Sequence, residues 1–166
     1  MLYYYLNQKV SVRGELWGIW KVMFNGEYSH SVDAKGRVII PSDFRELLGA
    51  KFWLTKGLDG CLNIYAEEEW EKFEQKLAAL PITNKGARKF SRFMHAGATQ
   101  CETDRQGRIL VPANLREYAA IGKDAVMIGN GNHVEIWSRE RWDAEQAEEN
   151  SDESLAEGLD GLGIGI

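Results

Sequence analysis

The chain has 166 residues, 44% of them hydrophobic and 27% charged, with three His and two Cys. That fits a soluble globular protein of one domain, or of two small ones sharing a core. It excludes a membrane helix, since no apolar run approaches the roughly 20 residues required, and a disulfide framework, since Cys61 and Cys101 lack any close pairing pattern. Two inert thiols in a cytosolic chain are expected. The formal net charge of −5 argues at first against nucleic acid, but residues 144–166 carry seven acids and no base, while residues 23–143 carry 17 of each. A neutral body can still present a basic face, and binding responds to the local field.

Residues 1–22 hold five aromatic side chains and no basic region ahead of an apolar core, so they do not read as a secretory signal. An extended run follows over 28–32 and meets a turn, Asp33-Ala-Lys35-Gly36-Arg37. The Asp side chain can accept from a backbone N–H two residues on, and the Gly suits a left-handed position. An aliphatic strand over 38–40 ends at Pro41, which lacks a donor but tolerates the start of a helix. Phe44, Leu47 and Leu48 then fall at helical spacing, and Gly49 suits the helix exit. FWLTKGLDGCLNIY predicts a hairpin turning at Asp59-Gly60. Trp70, Phe73, Leu77 and Leu80 form one apolar helical stripe, read as core packing, which Pro81 stops. Residues 83–95 predict a connecting helix with Lys85, Arg88, Lys89 and Arg92 clustered on it.

The same string of elements then begins again. DAKGRVIIPSDFRE (33–46) is answered by DRQGRILVPANLRE (104–117) at an offset of 71 residues. Upstream, Gly26 matches Gly97. Downstream, LNIYAEEEW (62–70) matches VEIWSRERW (134–142) at an offset of 72. The second copy predicts an extended run over 99–103, a turn at Asp104-Arg105-Gln106-Gly107-Arg108, a strand over 109–111 and a short helix with Leu115, Tyr118 and Ala119. Gly122 would end that helix, a hairpin would turn around Asn130-Gly131, and a last helix would carry Trp142. The chain closes in an acidic, Gly-rich tail.

One Asp-x-x-Gly-Arg turn alone would read as a well-made hairpin with a solvated Arg. Two copies that present Arg37 and Arg108 equivalently suit a ligand with two-fold character. Duplex DNA is the commonest such ligand, and Arg grips both guanine edges and phosphate. Lys35 and Arg105 add charge beside them. Arg45 and Arg116 recur on the short helices, either as DNA contacts or as surface charges pairing with Glu46 or Glu117.

The strings MFNGEYSHSVDAKGRVIIPSDFRE and HAGATQCETDRQGRILVPANLRE, with the paired Ile-[Tyr/Trp]-x4-Trp segments, resemble the MraZ family over about residues 23–148. The resemblance implies an α+β, mainly β fold: two AbrB-like swapped-hairpin half-domains, a tandem pseudo-repeat, pairing into one intertwined barrel. The half-domains would span 23–82 and 96–148, joined by the helix at 83–95, with an extension at 1–22 and a tail at 149–166. Met23 stands where the family normally starts and is a candidate start codon. The resemblance also implies ring-shaped homo-oligomers that bind tandem short repeats in the promoter of the division and cell-wall gene cluster, in the cytoplasm and at the nucleoid. Carried over by position, the family's motif residues are Asp33 and Arg37, then Asp104 and Arg108, with Gly36 and Gly107 shaping the turns.

Two other classes of function compete with DNA binding for such a chain. An enzyme finds no support: His30, His95 and His133 lie far apart, and no His-Glu-x-x-His, Cys-x-x-Cys, P-loop or Gly-x-Ser-x-Gly string occurs. No catalytic residue, metal or cofactor is expected. The alternative is an AbrB-like protein-binding module of the antitoxin type, which usually carries one half-domain and an inhibitory tail; recovery of a small toxin in a pull-down would favour it.

Overall fold

The computed structural model describes residues 23–149. The extension at 1–22 and, apart from the helix-ending Glu149, the acidic tail lie outside the described residues. Strand β1 (Phe24–Ser31) runs into the first turn, and β2 (Arg37–Ile39) returns from it. Pro41, held at φ −51, leads into α1 (Ser42–Leu48), where Phe44 and Leu48 are buried. β3 (Phe52–Lys56) and β4 (Leu62–Ala66) form the hairpin expected around Asp59-Gly60, with Gly60 at φ 79. Helix α2 (Glu67–Ala78) buries Trp70 and Leu77, and Trp70 stacks on Trp53 with ring centroids 5.2 Å apart. The connecting helix α3 (Lys85–Gly97) starts where Asn84 accepts from the Ala87 N–H at 3.0 Å. It docks through Met94, whose carbonyl accepts from the buried Thr55 hydroxyl at 2.8 Å.

The second copy repeats the order with β5 (Thr99–Cys101), β6 (Arg108–Leu110), α4 (Ala113–Tyr118), β7 (Asp124–Gly131), β8 (His133–Ser138) and α5 (Arg139–Glu149). Two local expectations shift. Gly122 does not end α4. Ala120 takes the left-handed position at φ 52, and the Ile121 N–H donates to the Arg116 carbonyl at 2.9 Å, so the closing residue is a non-glycine. The last hairpin loop is Gly131-Asn132, one residue later than expected, because Asn130 pairs with His133 and only Gly131 carries a positive φ, 66°.

Strands are exchanged between the copies. The six-stranded antiparallel sheet has the order β1-β7-β8-β4-β3-β5, and β2 pairs with β6 as a separate ribbon. Thus β1 of the first copy lies on β7 of the second, and β5 of the second lies on β3 of the first. Leu62 pairs with Ile136 and Ile64 with Val134, while Arg37 pairs with Leu110 and Ile39 with Arg108. Because 62 matches 134 in sequence and 37 matches 108, each of these pairings maps onto its neighbour when the copies are interchanged. A pseudo-two-fold axis therefore passes near Val38/Ile109 and near Asn63/Glu135. A half-domain alone would keep its β3–β4 or β7–β8 hairpin but would leave β1 and β2, or β5 and β6, without their ladder partners and with N–H and C=O groups unsatisfied.

The closed barrel expected from the resemblance is not seen among these pairings: the sheet is open, with β1 and β5 at its edges. Between sheet and ribbon lies one core, built by matched positions: Val38 and Ile109, Ile40 and Val111, Phe44 and Leu115, Leu48 and Ala119, Leu62 and Val134, Ile64 and Ile136. None of the described helices is long and apolar enough to cross a membrane.

Candidate nucleic-acid interface

The two Asp-x-x-Gly-Arg turns are built alike. Asp33 Oδ1 accepts from the backbone N–H groups of Lys35 and Arg37, both at 2.9 Å, and Oδ2 accepts from Arg37 Nε at 2.7 Å. Asp104 does the same for Gln106 and Arg108, at 2.9, 2.9 and 2.8 Å. One carboxylate therefore satisfies two turn donors and fixes the guanidinium that follows. Gly36 at φ 82 and Gly107 at φ 75 take the left-handed position that closes each turn. The turns also hold each other: the Ile40 N–H donates to Gly107 O at 2.9 Å and the Val111 N–H to Gly36 O at 3.0 Å.

Strand alternation does the rest. Val38 and Ile109 point into the core, so Arg37, Ile39, Arg108 and Leu110 share the outer face of the ribbon. Arg37 keeps both amino groups without a hydrogen-bond partner among the described residues. Arg108 differs slightly, with Nη1 lying 3.8 Å from Asp33 Oδ2 across the copies. Lys35 and Arg105 stand exposed at the two tips.

Arg45 and Arg116 sit elsewhere than on an open helix surface. Each is half-buried and lies against the turn glycine of the opposite copy. A Cβ on Gly36 would come within 2.6 Å of Arg116 Cζ and Nε, and a Cβ on Gly107 within 2.6 Å of Arg45 Cζ. Arg116 Nε also donates to the Val111 carbonyl at 3.1 Å. These two arginines therefore support the turns from behind. The ribbon brings Arg37 and Arg108 together, places Lys35 and Arg105 beside them, and sets Arg45 and Arg116 beneath.

Sequence reasoning missed the outward Ile39 and Leu110, which it counted as ordinary strand residues; period-two alternation within RVII and RILV was the available signal. It also missed Arg141, whose Nη1 donates to Gly60 O at 2.7 Å and Tyr118 O at 2.9 Å, tying α5 to the β3–β4 turn. Among the described residues no group of three or more His, Cys, Asp or Glu could hold a metal ion. Burial pushes the Cys61 thiol up to about 12 and the Cys101 thiol up to about 11, so neither is a thiolate at neutral pH.

The Arg37 backbone N–H holds the Asp33 carboxyl below the usual carboxylate range, helped by its guanidinium and the Lys35 N–H against some desolvation; Arg108 and Gln106 do so for Asp104. A depressed carboxylate pKa gives stability that is present above the unfolded value and is lost as pH falls through the folded one. The turns should thus stay closed through mildly acidic pH and open only below the ordinary value of 3.8. Amide resonances of Lys35, Arg37, Gln106 and Arg108 followed by NMR during acidification should move with midpoints below 3.8. Midpoints at or above that value would mean that the carboxylates do not hold the turns.

The fold and the paired turns define a duplicated, strand-exchanged protein that displays two arginines on a short two-stranded ribbon. The chain belongs to the MraZ family: the family model described as "MraZ protein, putative antitoxin-like" matches residues 23–93 and again 94–161. It is 58% identical over 145 residues to a "Transcriptional regulator MraZ" of Thermoanaerobacter sp. (strain X514), covering 86% of this chain and all of that one. A protein of the same name from Acetivibrio thermocellus is 58% identical over 143 residues, again across its whole length and 86% of this chain. Another from Heliobacterium modesticaldum is 61% identical over 120 residues, covering 72% of this chain and 84% of that one.

Proposed function

We propose that this chain is a DNA-binding transcriptional regulator, with no enzymatic role, that grips duplex DNA through the β2–β6 ribbon. One observation carries the reading: two Asp-held arginines share the outer face of one ribbon, set diagonally across a pseudo-two-fold axis. A two-stranded ribbon of this width fits the major groove, where Arg can make two bonds to guanine O6 and N7. Lys35 and Arg105 at the tips supply phosphate contacts, and Arg45 and Arg116 add positive field while bracing the turns. The names of the relatives support a regulator of transcription.

The finer reading is a homo-oligomeric ring at the nucleoid in the cytoplasm. Each ring would engage tandem short repeats in the promoter of the division and cell-wall gene cluster, with sheet and ribbon completing a barrel-like shell around the shared core. A neutral body with a few turns per chain binds one site weakly, and joining protomers raises the effective concentration at neighbouring sites. Selection of bound fragments by the purified protein should return a repeated short site. Affinity for a tandem array should exceed that for one isolated site by roughly a hundredfold or more. Equal affinity for both would remove the ring from the proposal. Recovery of a small toxin together with no preferred DNA would favour the antitoxin-type reading that the family description raises.

A further inference from the structure

Large apolar side chains that stand exposed among the described residues are Met23, Ile39, Leu58, Ile82 and Leu110. Two of these share the ribbon: Ile39 is 42% exposed and Leu110 is 58% exposed. Their placement is regular. Leu110 lies opposite Arg37, and Ile39 lies opposite Arg108. Along each strand the aliphatic residue follows its arginine at i+2, on the same face. The outer surface is therefore a two-by-two checkerboard of guanidinium and aliphatic groups, rimmed by Lys35 and Arg105.

A ribbon face meant only for water would carry Thr, Lys or Glu at such positions, because an aliphatic side chain gains nothing from exposure. A purely apolar partner would be repelled by desolvating the arginines that alternate with them. The surface instead complements an anion that bears small apolar islands at fixed intervals. The major groove offers this combination: phosphate walls, guanine acceptors and the 5-methyl group of thymine. The dimensions agree. Residues i and i+2 of a strand lie about 6.6–6.8 Å apart, and opposed residues about 4.5–5.5 Å apart. One base-pair step is about 3.4 Å, so the checkerboard spans about two steps.

We infer that Ile39 and Leu110 are specificity-determining residues that read thymine methyl groups within about two base pairs of the guanines read by Arg108 and Arg37. This rests on the DNA reading of the ribbon proposed above. It explains why β2 and β6 keep aliphatic residues at positions that face away from the core.

The test uses the full-length protein and a duplex it has selected from random sequence. Each thymine is replaced in turn by deoxyuridine, which removes only the 5-methyl group. Kd should rise about fourfold at each contacted thymine, the fold-change equivalent to ~0.8 kcal/mol for one buried carbon. Ile39→Ala and Leu110→Ala should each bind the thymine duplex more weakly and lose the discrimination at their own positions. Both residues are exposed, so both variants should melt like the parent protein. A parent protein that binds selectively, needs Arg37 and yet ignores every uracil substitution would overturn the inference while leaving the DNA reading intact. Variants that change oligomer mass by light scattering while still discriminating thymine from uracil would overturn it too, by making the pair a subunit contact. If no preferred duplex is recovered at all, the DNA reading falls first and this one with it.

Discussion

Gly129→Ala is expected to lower the melting temperature by roughly 10 °C, because among the described glycines it is the one whose added Cβ meets only backbone atoms at under 3 Å. Gly129 lies in β7 opposite Gly26 of β1, where the strands of the two copies meet. A Cβ there would fall 2.5 Å from the Phe24 carbonyl carbon and 2.7 Å from Asn25 Cα. Both are backbone atoms, so no rotamer change relieves the clash, and β1 has to move off β7. That movement withdraws Phe24, which is 2% exposed and packs edge-on against Phe44 at 5.7 Å. It also loosens Tyr28, whose ring meets Phe44 at 5.0 Å and whose hydroxyl donates to Asp43 at 3.2 Å. Overpacking costs about 1–3 kcal/mol, and partial exposure of one Phe adds a further ~1–2 kcal/mol. A domain of this size moves by a few degrees for each kcal/mol. Gly122→Ala is the matched control: nothing lies within 4 Å of its added Cβ and its φ is not positive. It should leave melting unchanged or raise it through a stiffer unfolded chain, by up to ~1 kcal/mol. Calorimetry on the two variants that gave equal melting temperatures would show that β1 does not lie on β7 in this register.

Much of the architecture was legible because it is written twice. The turns follow from Asp and Gly chemistry at fixed spacing, and the short helices follow from a proline ahead of apolar residues at i, i+3 and i+4. The strand partners were not legible from local pattern. Alternation fixes which face of a strand is buried, and it is silent on which neighbour supplies the hydrogen bonds. The resemblance alone implied the intertwining, and the exchanged pairings of β1 with β7 and β5 with β3 bear that out. Matched letters also do not guarantee matched roles. Gly26 sits inside the eight-residue β1 at φ 98, whereas Gly97 ends α3 beside Lys56. The second copy has the connecting helix where the first has half a strand, so β5 keeps only three residues.

The site shows the same division. Arg37 and Arg108 were identifiable because a rigid turn precedes each. Arg45 and Arg116 look identical to them in sequence, yet strand exchange carries each beneath the glycine of the other copy's turn. No one-dimensional pattern contains that contact, since it joins residues more than sixty positions apart. Ile39 and Leu110 were hidden for a related reason: a run of three aliphatics reads as wholly buried until the register shows that only its first and last members face the core.

Arg37→Ala is expected to have the largest effect on DNA binding. Its guanidinium is anchored at Nε by Asp33, at 2.7 Å, and its amino groups face outward from a turn that the same carboxylate closes. The side chain is therefore held in place before binding, and little conformational entropy remains to be lost. Removing it should cost about 1–3 kcal/mol for each engaged copy if it contacts a guanine, and several engaged protomers multiply that loss into failure to bind a tandem array. Arg37→Lys should recover little, because an ammonium cannot make the two-pronged contact and cannot keep the Nε bond to Asp33. Arg108→Ala should act in the same direction and non-additively with Arg37→Ala, since Arg108 Nη1 lies 3.8 Å from the Asp33 carboxylate that anchors Arg37. A double-mutant cycle on tandem-site DNA, titrated at several salt concentrations, separates base from phosphate contact. A base contact leaves Arg37→Lys as weak as Arg37→Ala and relaxes sequence preference at one position. A phosphate contact lets Lys restore binding, and the alanine variant's salt slope falls by about one unit per contact. Oligomer mass measured alongside shows whether the subunits still assemble. Normal binding by an Arg37→Ala protein of unchanged mass would remove the ribbon from the DNA interface.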